Sequence, residues 1–175
     1  MKKFICLLII FVFTGCAAQS LTLSGGVSYT VNEARQIAFD GVPKKIDMSK
    51  YKEYFVDKNY EKNQEYMKNG KFRLRNRQLT LFSDQSYGIR YKKNKTTGFY
   101  YDKYGKLDSI DFTEGNHYPS RGVIYDKNGK LDTIAVFLSN NEQYVFDINK
   151  KLIVHWIGNN GYNENGILLQ IRKDK

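Results

Sequence analysis

Side chains able to do acid–base, nucleophilic or metal chemistry are sparse in this chain, and their spacing points to turns more than to catalysis. Histidine occurs twice, as His117 and as His155, the latter in an apolar run beside Trp156. Ser109 or Ser139, His155 and an aspartate could be written down as a triad, yet neither serine lies in a Gly-x-Ser-x-Gly elbow. Asp102, Asp126 and Asp147 recur at one position of a repeated sequence, as do Asp108 and Asp132, so repetition explains them better than acid–base work. Asp126-Lys127-Asn128-Gly129 begins like a calcium loop, but no glutamate stands at the twelfth place, where such a loop needs a bidentate ligand. Tyr100, Tyr101 and Tyr104 could stack on sugar rings, or equally serve as sheet packing and hairpin edges. Neither an enzyme nor a cofactor or metal is expected.

Cations are the other chemically active group, and they are concentrated. Between residues 68 and 95 there are nine lysines and arginines against one acid, Asp84, a local charge of +8. Arg73, Arg75 and Arg77 alternate with Phe72 and Leu74, so a strand here would put three guanidinium groups on one face. Arg90, Lys92 and Lys93 extend the pattern from Tyr87-Gly88-Ile89-Arg90-Tyr91-Lys92, which also alternates. Guanidinium forks suit phosphate and carboxylate, and a concentrated positive field attracts anions. These six residues are the candidate anion-binding surface. The alternative is a solvated strand face that keeps a sheet soluble and its edge unpaired.

Where such a surface meets its anions depends on Cys16. Lys2 and Lys3 precede an apolar run over residues 4–13, which ends in Thr14-Gly15-Cys16. Ten apolar residues are about half of the ~20 needed to span a bilayer, but they suit the core of a secretory signal. Residues 1–15 are therefore expected to be a signal peptide. Phe13-Thr14-Gly15-Cys16 resembles the lipobox of bacterial lipoproteins, with Phe13 where that family usually has an aliphatic residue. The resemblance implies cleavage before Cys16, a lipid on its sulfur and a site in the cell envelope, outside the cytoplasm. Ala17 follows, not aspartate, so the same resemblance implies the outer membrane in a Gram-negative cell. Ordinary secretion, with cleavage after Ala17 or Ala18, is the alternative. In either case nucleic acid is not an expected partner.

The elements that must position these residues follow from composition. Removing 15 residues from 175 leaves the length of one domain, with no cysteine beyond position 16 to make a disulfide. Its aromatic content, 14 Tyr and 11 Phe in the whole chain, favours sheet. Residues 16–29 are small and polar and read as a lipidated tether. Within residues 30–69 a partly helical segment is expected: Thr30 and Glu33 form a capping-box pattern, and Gly41 closes the helix.

Residues 70–175 repeat. Tyr101-Asp102-Lys103-Tyr104-Gly105-Lys106-Leu107 is echoed by Tyr125-Asp126-Lys127-Asn128-Gly129-Lys130-Leu131, and more weakly from Phe146-Asp147 and Tyr162-Asn163. Each copy reads as a hairpin, with an Asx-turn, a residue free to take positive φ, and a strand led by leucine. The copies resemble YD repeats of the RHS kind and, more distantly, MORN-type antitoxin-like repeats; Lys150 replaces the turn glycine in the third and Asn163 the aspartate in the fourth. Connections this short cannot cross over in parallel. The expected fold is mainly β, an antiparallel meander of hairpins forming one sheet or an open barrel, preceded by a short helical segment, with α+β as the alternative.

The functional expectation is a membrane-anchored binding or structural module that engages an anionic lipid, a glycan or a protein partner through its basic strand surface. The MORN-like resemblance implies the alternative, an immunity or antitoxin-like protein that neutralises a toxin at the envelope.

Overall fold

The computed structural model describes residues 29–115 and 117–172; the expected signal peptide, Cys16 and nearly all of the expected tether lie outside them. Three short helices come first, α1 (Val31–Phe39), the 3-10 helix η1 (Met48–Tyr54) and α2 (Tyr60–Lys68). Ten strands follow: β1 (Arg77–Leu81), β2 (Tyr87–Tyr91), β3 (Thr97–Tyr101), β4 (Leu107–Thr113), β5 (Ser120–Asp126), β6 (Leu131–Phe137), β7 (Glu142–Asp147), β8 (Leu152–Ile157), β9 (Asn160–Tyr162) and β10 (Leu168–Ile171). Each pairs antiparallel with the next, and the spatial order is the chain order. The sheet is therefore an open meander, mainly β as the sequence implies, and β1 does not close onto β10.

One face of the sheet is covered by the helices. Leu79, Ile89, Phe99, Ile110, Val123, Ile134, Val136 and Phe146 are buried there with Ala34 and Ala38 of α1 and Met67 of α2. Tyr54 of η1 stacks on Phe99 at 3.9 Å between ring centroids, a contact worth about 1 kcal/mol beyond its buried area. A smaller cluster, Ala135, Phe137, Val145, Val154 and Trp156, lies on the opposite face.

Local sequence explains the helix ends. The Thr30 hydroxyl accepts from the Glu33 amide at 3.2 Å, and the Glu33 carboxylate accepts from the Thr30 amide at 2.7 Å, completing the capping box. At the other end, Arg121 of β5 donates to the Ile37 carbonyl at 3.2 Å and to the Asp40 carbonyl. These are carbonyls that a helix leaves unpaired, and here a cation meets the negative end of the helix.

The repeats are one turn used four times. The Oδ1 atoms of Asp102, Asp126 and Asp147 each accept from the backbone amides two and four residues on, at 2.8–2.9 Å. Asn163 does the same at 3.0 and 2.9 Å, because only the side-chain oxygen is needed. The next-to-last turn residue has positive φ in every copy: Gly105 76°, Gly129 76°, Lys150 65° and Gly166 74°. Lys150 thus takes the left-handed conformation that its glycine counterparts adopt without strain. A fifth turn of the same kind joins β1 to β2. The Phe82 amide donates to the Ser86 carbonyl at 2.9 Å, the Gln85 amide to the Phe82 carbonyl at 3.1 Å, and Gln85 has φ 68°. Phe82 hides this copy in the sequence by standing where the others carry Asp or Asn.

The N-terminal segment straps these turns in reverse order. The Asp57 amide donates to the Gly105 carbonyl at 2.9 Å while the Phe55 carbonyl accepts from the Leu107 amide at 2.9 Å. One turn further along the sheet, Ile46 and Lys44 do the same to Gly129 and Leu131, at 2.8 and 2.9 Å. At the third turn, Arg35 Nε replaces the backbone donor and reaches the Lys150 carbonyl at 2.8 Å. The three donors, Asp57, Ile46 and Arg35, are spaced 11 residues apart.

Candidate functional site

The six candidate anion-binding residues do not form one surface. Strand β1 begins only at Arg77, and residues 72–74 fold back beside it, with Arg73 bridged to Gln78. Arg73 therefore shares the face of Gln78, while Arg77, one residue earlier in the strand, points to the other. The expected row of three guanidinium groups is absent because a tight hairpin, closed by the Leu74 amide on the Arg77 carbonyl at 2.9 Å, interrupts the alternation.

Arg77 enters the helix-covered face. Its Nε and Nη2 donate to Asn63 Oδ1 at 2.9 and 2.7 Å, and Nη1 donates to Asn76 Oδ1 at 3.0 Å. Asn63 in turn donates to Asp57 Oδ2 at 2.8 Å, and the Tyr87 hydroxyl donates to the same oxygen at 2.8 Å. Asp57, Asn63 and Arg77 are all buried, so an amide relays the arginine charge to a carboxylate across the foot of α2. Burial, then the hydrogen bond to Asp57, pushes the Tyr87 hydroxyl far above the ordinary phenol range. This is a folding network, since buried charge must be paired and hydrogen-bonded.

Arg90 lies on the opposite face, where it pairs with Asp111 of β4 at 2.5 Å and donates to the Lys95 carbonyl at 2.9 Å. Gly98 is the cross-strand neighbour of both Arg90 and Asp111. A Cβ at Gly98 would collide with the Asp111 carboxylate, so glycine is what lets the pair close across the intervening strand. Asp111 is fully buried, with the Tyr100 hydroxyl and the Gly98 backbone beside its carboxylate. Burial raises its carboxyl above the usual carboxylate range, with Arg90 opposing the shift.

The cations of the segment left facing solvent are Lys68, Lys71, Arg73, Arg75, Lys92, Lys93 and Lys95, all exposed. The Lys92 amide donates to the Asn76 carbonyl at 3.0 Å, which fixes the loop after β2 against the hairpin before β1. Two basic loops, 73–76 and 92–95, thereby become neighbours at one end of the sheet. They carry side chains on short, exposed connections where charge can meet a partner without desolvation of a strand face.

The remaining chemical groups stay apart. His117 is exposed, with Nδ1 3.1 Å from the Pro119 carbonyl. His155 stacks on Tyr144 at 3.8 Å and meets Glu142 at 3.0 Å. Burial, then the Glu142 charge, pushes Tyr144 up to about 12. Ser109 is buried in β4 and Ser139 binds the Asn141 amide, so neither reaches a histidine. Among the described residues, no group of three or more His, Cys, Asp or Glu side chains could hold a metal. Tyr100 lies beside the Arg90–Asp111 pair, and Tyr101 is core; Tyr104 is exposed on the first turn.

The sequence reading missed Asn63 and Asp57, which decide the fate of Arg77. Their signal was a polar pair in a segment without clean periodicity. Comparison of the chain with protein-family models, curated proteins and solved structures gives no match.

Proposed function

We propose that this protein is a lipid-tethered binding module of the cell envelope, and that it engages an anionic partner through the two basic loops at 73–76 and 92–95. The anchor rests on Lys2, Lys3, the apolar run over residues 4–13 and Cys16. The binding surface rests on one observation, the Lys92 amide to Asn76 carbonyl bond, which gathers Arg75, Lys92 and Lys93 on adjoining exposed connections. The open meander supplies the base that holds them side by side. Arg77 and Arg90 serve the fold, so the surface is smaller than the sequence implies, and among the described residues no carboxylate pairs with Arg75, Lys92 or Lys93.

Phosphate and carboxylate are the chemistries these side chains recognise. The test is co-sedimentation of the protein with vesicles of acidic or neutral phospholipid, with polyglutamate as a competing acidic chain. Binding to acidic vesicles that weakens with salt, and weakens further in Arg75→Gln/Lys92→Gln/Lys93→Gln, supports the reading. Equal binding by the triple variant removes it. Loss of fatty-acid labelling in Cys16→Ser tests the anchor separately.

A further inference from the structure

The strap on the turns advances by a fixed step. Its donors to the first, second and third turns are Asp57, Ile46 and Arg35, so the chain moves 11 residues for each pair of strands it crosses. At the third turn a side chain from α1 makes the contact, so what stays constant is the advance and not the tripeptide. One more step of 11 from Arg35 reaches Ser24, and the turn it meets is the fourth, between β9 and β10.

The fourth turn has the groups that this step needs. Its Asn163 amide donates to the Ile167 carbonyl at 2.9 Å, as the Asp102 and Asp126 amides do to the Lys106 and Lys130 carbonyls at 2.9 and 2.8 Å. Leu168 then pairs with Tyr162 as Leu107 pairs with Tyr101 and Leu131 with Tyr125. That pair lies one place beyond a hydrogen-bonded pair, so in each copy the leucine amide points away from its partner strand. In the first two copies it meets the Phe55 and Lys44 carbonyls. β10 is the last strand, and among the described residues nothing accepts from the Leu168 amide or donates to the Gly166 carbonyl. The residue before the leucine differs too. It is lysine in the other copies, as Lys106, Lys130 and Lys151, but here it is Ile167, 60% exposed. The described residues begin beside this turn: Val31 and Gly166 line the same cavity of about 320 Å³. From Val31 to Ser24 the chain can reach up to about 24 Å.

We propose that residues 22–24, Thr22-Leu23-Ser24, seat on the fourth turn as the last step of the strap. By the geometry of the first two turns, the Ser24 amide donates to the Gly166 carbonyl and the Thr22 carbonyl accepts from the Leu168 amide. Leu23 stands opposite Ile167, as Val56 stands opposite Lys106 and Lys45 opposite Lys130. The apolar residue of the segment thus covers the apolar residue of the turn. The atoms nearest a Cβ at Gly105 belong to Tyr60 and not to the tripeptide, so alanine at Gly166 does not probe this bridge. With a lipid on Cys16, which rests on the reading above, the leash shortens to residues 17–21. The β9–β10 end of the sheet is then the end held next to the membrane.

The test uses the full chain in mild detergent with Cys6→Ser and Cys16→Ser, so that it depends neither on the anchor nor on anion binding. Residues facing each other in a non-hydrogen-bonded antiparallel pair stand about 4.5 Å apart at Cα, within disulfide range. Leu23→Cys/Ile167→Cys should therefore close an intramolecular disulfide at least tenfold faster than Ser20→Cys/Ile167→Cys or Val27→Cys/Ile167→Cys, read on non-reducing gels. Equal rates for the three pairs would overturn the proposal. So would a disulfide-linked dimer as the main product, which would assign the edge of β10 to a second copy. Without the added cysteines, the Leu168 amide should exchange at least tenfold more slowly than in Ser24→Pro, which removes the donor and leaves the turn itself unchanged. Equal exchange in the two chains would equally overturn it.

Discussion

Arg77 and Asn63 are joined by two hydrogen bonds, 2.9 Å from Nε and 2.7 Å from Nη2 to the single oxygen Oδ1. This relationship divides the basic segment into residues that hold the fold and residues that meet solvent. Asn63 is fully buried and its amide is committed to Asp57, so the arginine has a fixed acceptor in a place water does not reach.

Asn63→Ala therefore leaves a buried guanidinium without its main acceptor. A loss of about 3 kcal/mol in urea denaturation is expected, the order found when one partner of a buried charged network is removed. Arg75→Gln, two residues before Arg77 and exposed, should leave the midpoint unchanged.

The strap on the turns makes two glycines with the same backbone unequal. Gly129 and Gly166 have φ 76° and 74°, and alanine at either costs about 1–2 kcal/mol of left-handed strain. At Gly129 the added Cβ also collides with the Ile46 carbonyl and approaches Met48 Cγ to 2.8 Å, whereas at Gly166 nothing lies within 4 Å. Gly129→Ala should thus lower the melting temperature clearly more than Gly166→Ala. Equal losses would mean that the strap does not hold the second turn.

Lys150 tests the turn from the other direction. A non-glycine residue at φ 65° carries about 1–2 kcal/mol of strain, while glycine costs about 0.5–1 kcal/mol in unfolded-chain entropy. Lys150→Gly should stabilise the protein by about 0.5 kcal/mol, read as a raised denaturation midpoint. A lowered midpoint would show that its contact over the Phe39 ring, at 5.5 Å, outweighs the strain.

Acid should loosen the hold on α1. The hydrogen bond from Arg121, ahead of their charge attraction, keeps the Glu114 carboxyl below the usual carboxylate range. Its folded pKa is depressed, so its stabilising contribution is present above the unfolded value near 4.3 and fades as pH falls through the folded value. Glu114→Gln should flatten the decline of melting temperature between about pH 5 and pH 2, and an unchanged acid limb would contradict the assignment.

How much of this was legible beforehand varies by element, for physical reasons. The capping box at Thr30 and Glu33 and the four Asp or Asn turns were readable, because each depends on residues within five positions of one another. The turn at Phe82 was not, since phenylalanine stands at the position of the marking aspartate and the side-chain contact runs instead from Ser86 to Asp84, out of step with the repeat. The side of the sheet on which Arg77 lies was misread because alternation was extended through Arg75, where the chain turns. The turn is local, closed between Leu74 and Arg77, but the capture of Arg77 by Asn63 is a tertiary contact 14 residues away, outside any strand pattern. Likewise, the pairing of Arg90 with Asp111 across Gly98 spans three strands and shows only once the register is known.

The central claim is that anion binding belongs to the exposed loops and not to the whole basic segment. The most direct measurement compares the salt dependence of acidic-vesicle binding for the native protein, for Arg75→Gln/Lys92→Gln/Lys93→Gln, and for Arg90→Gln. Loss of most binding and a flattened salt dependence in the loop triple, with Arg90→Gln close to native in binding, is the predicted result. Native-like binding by the loop triple would contradict the account.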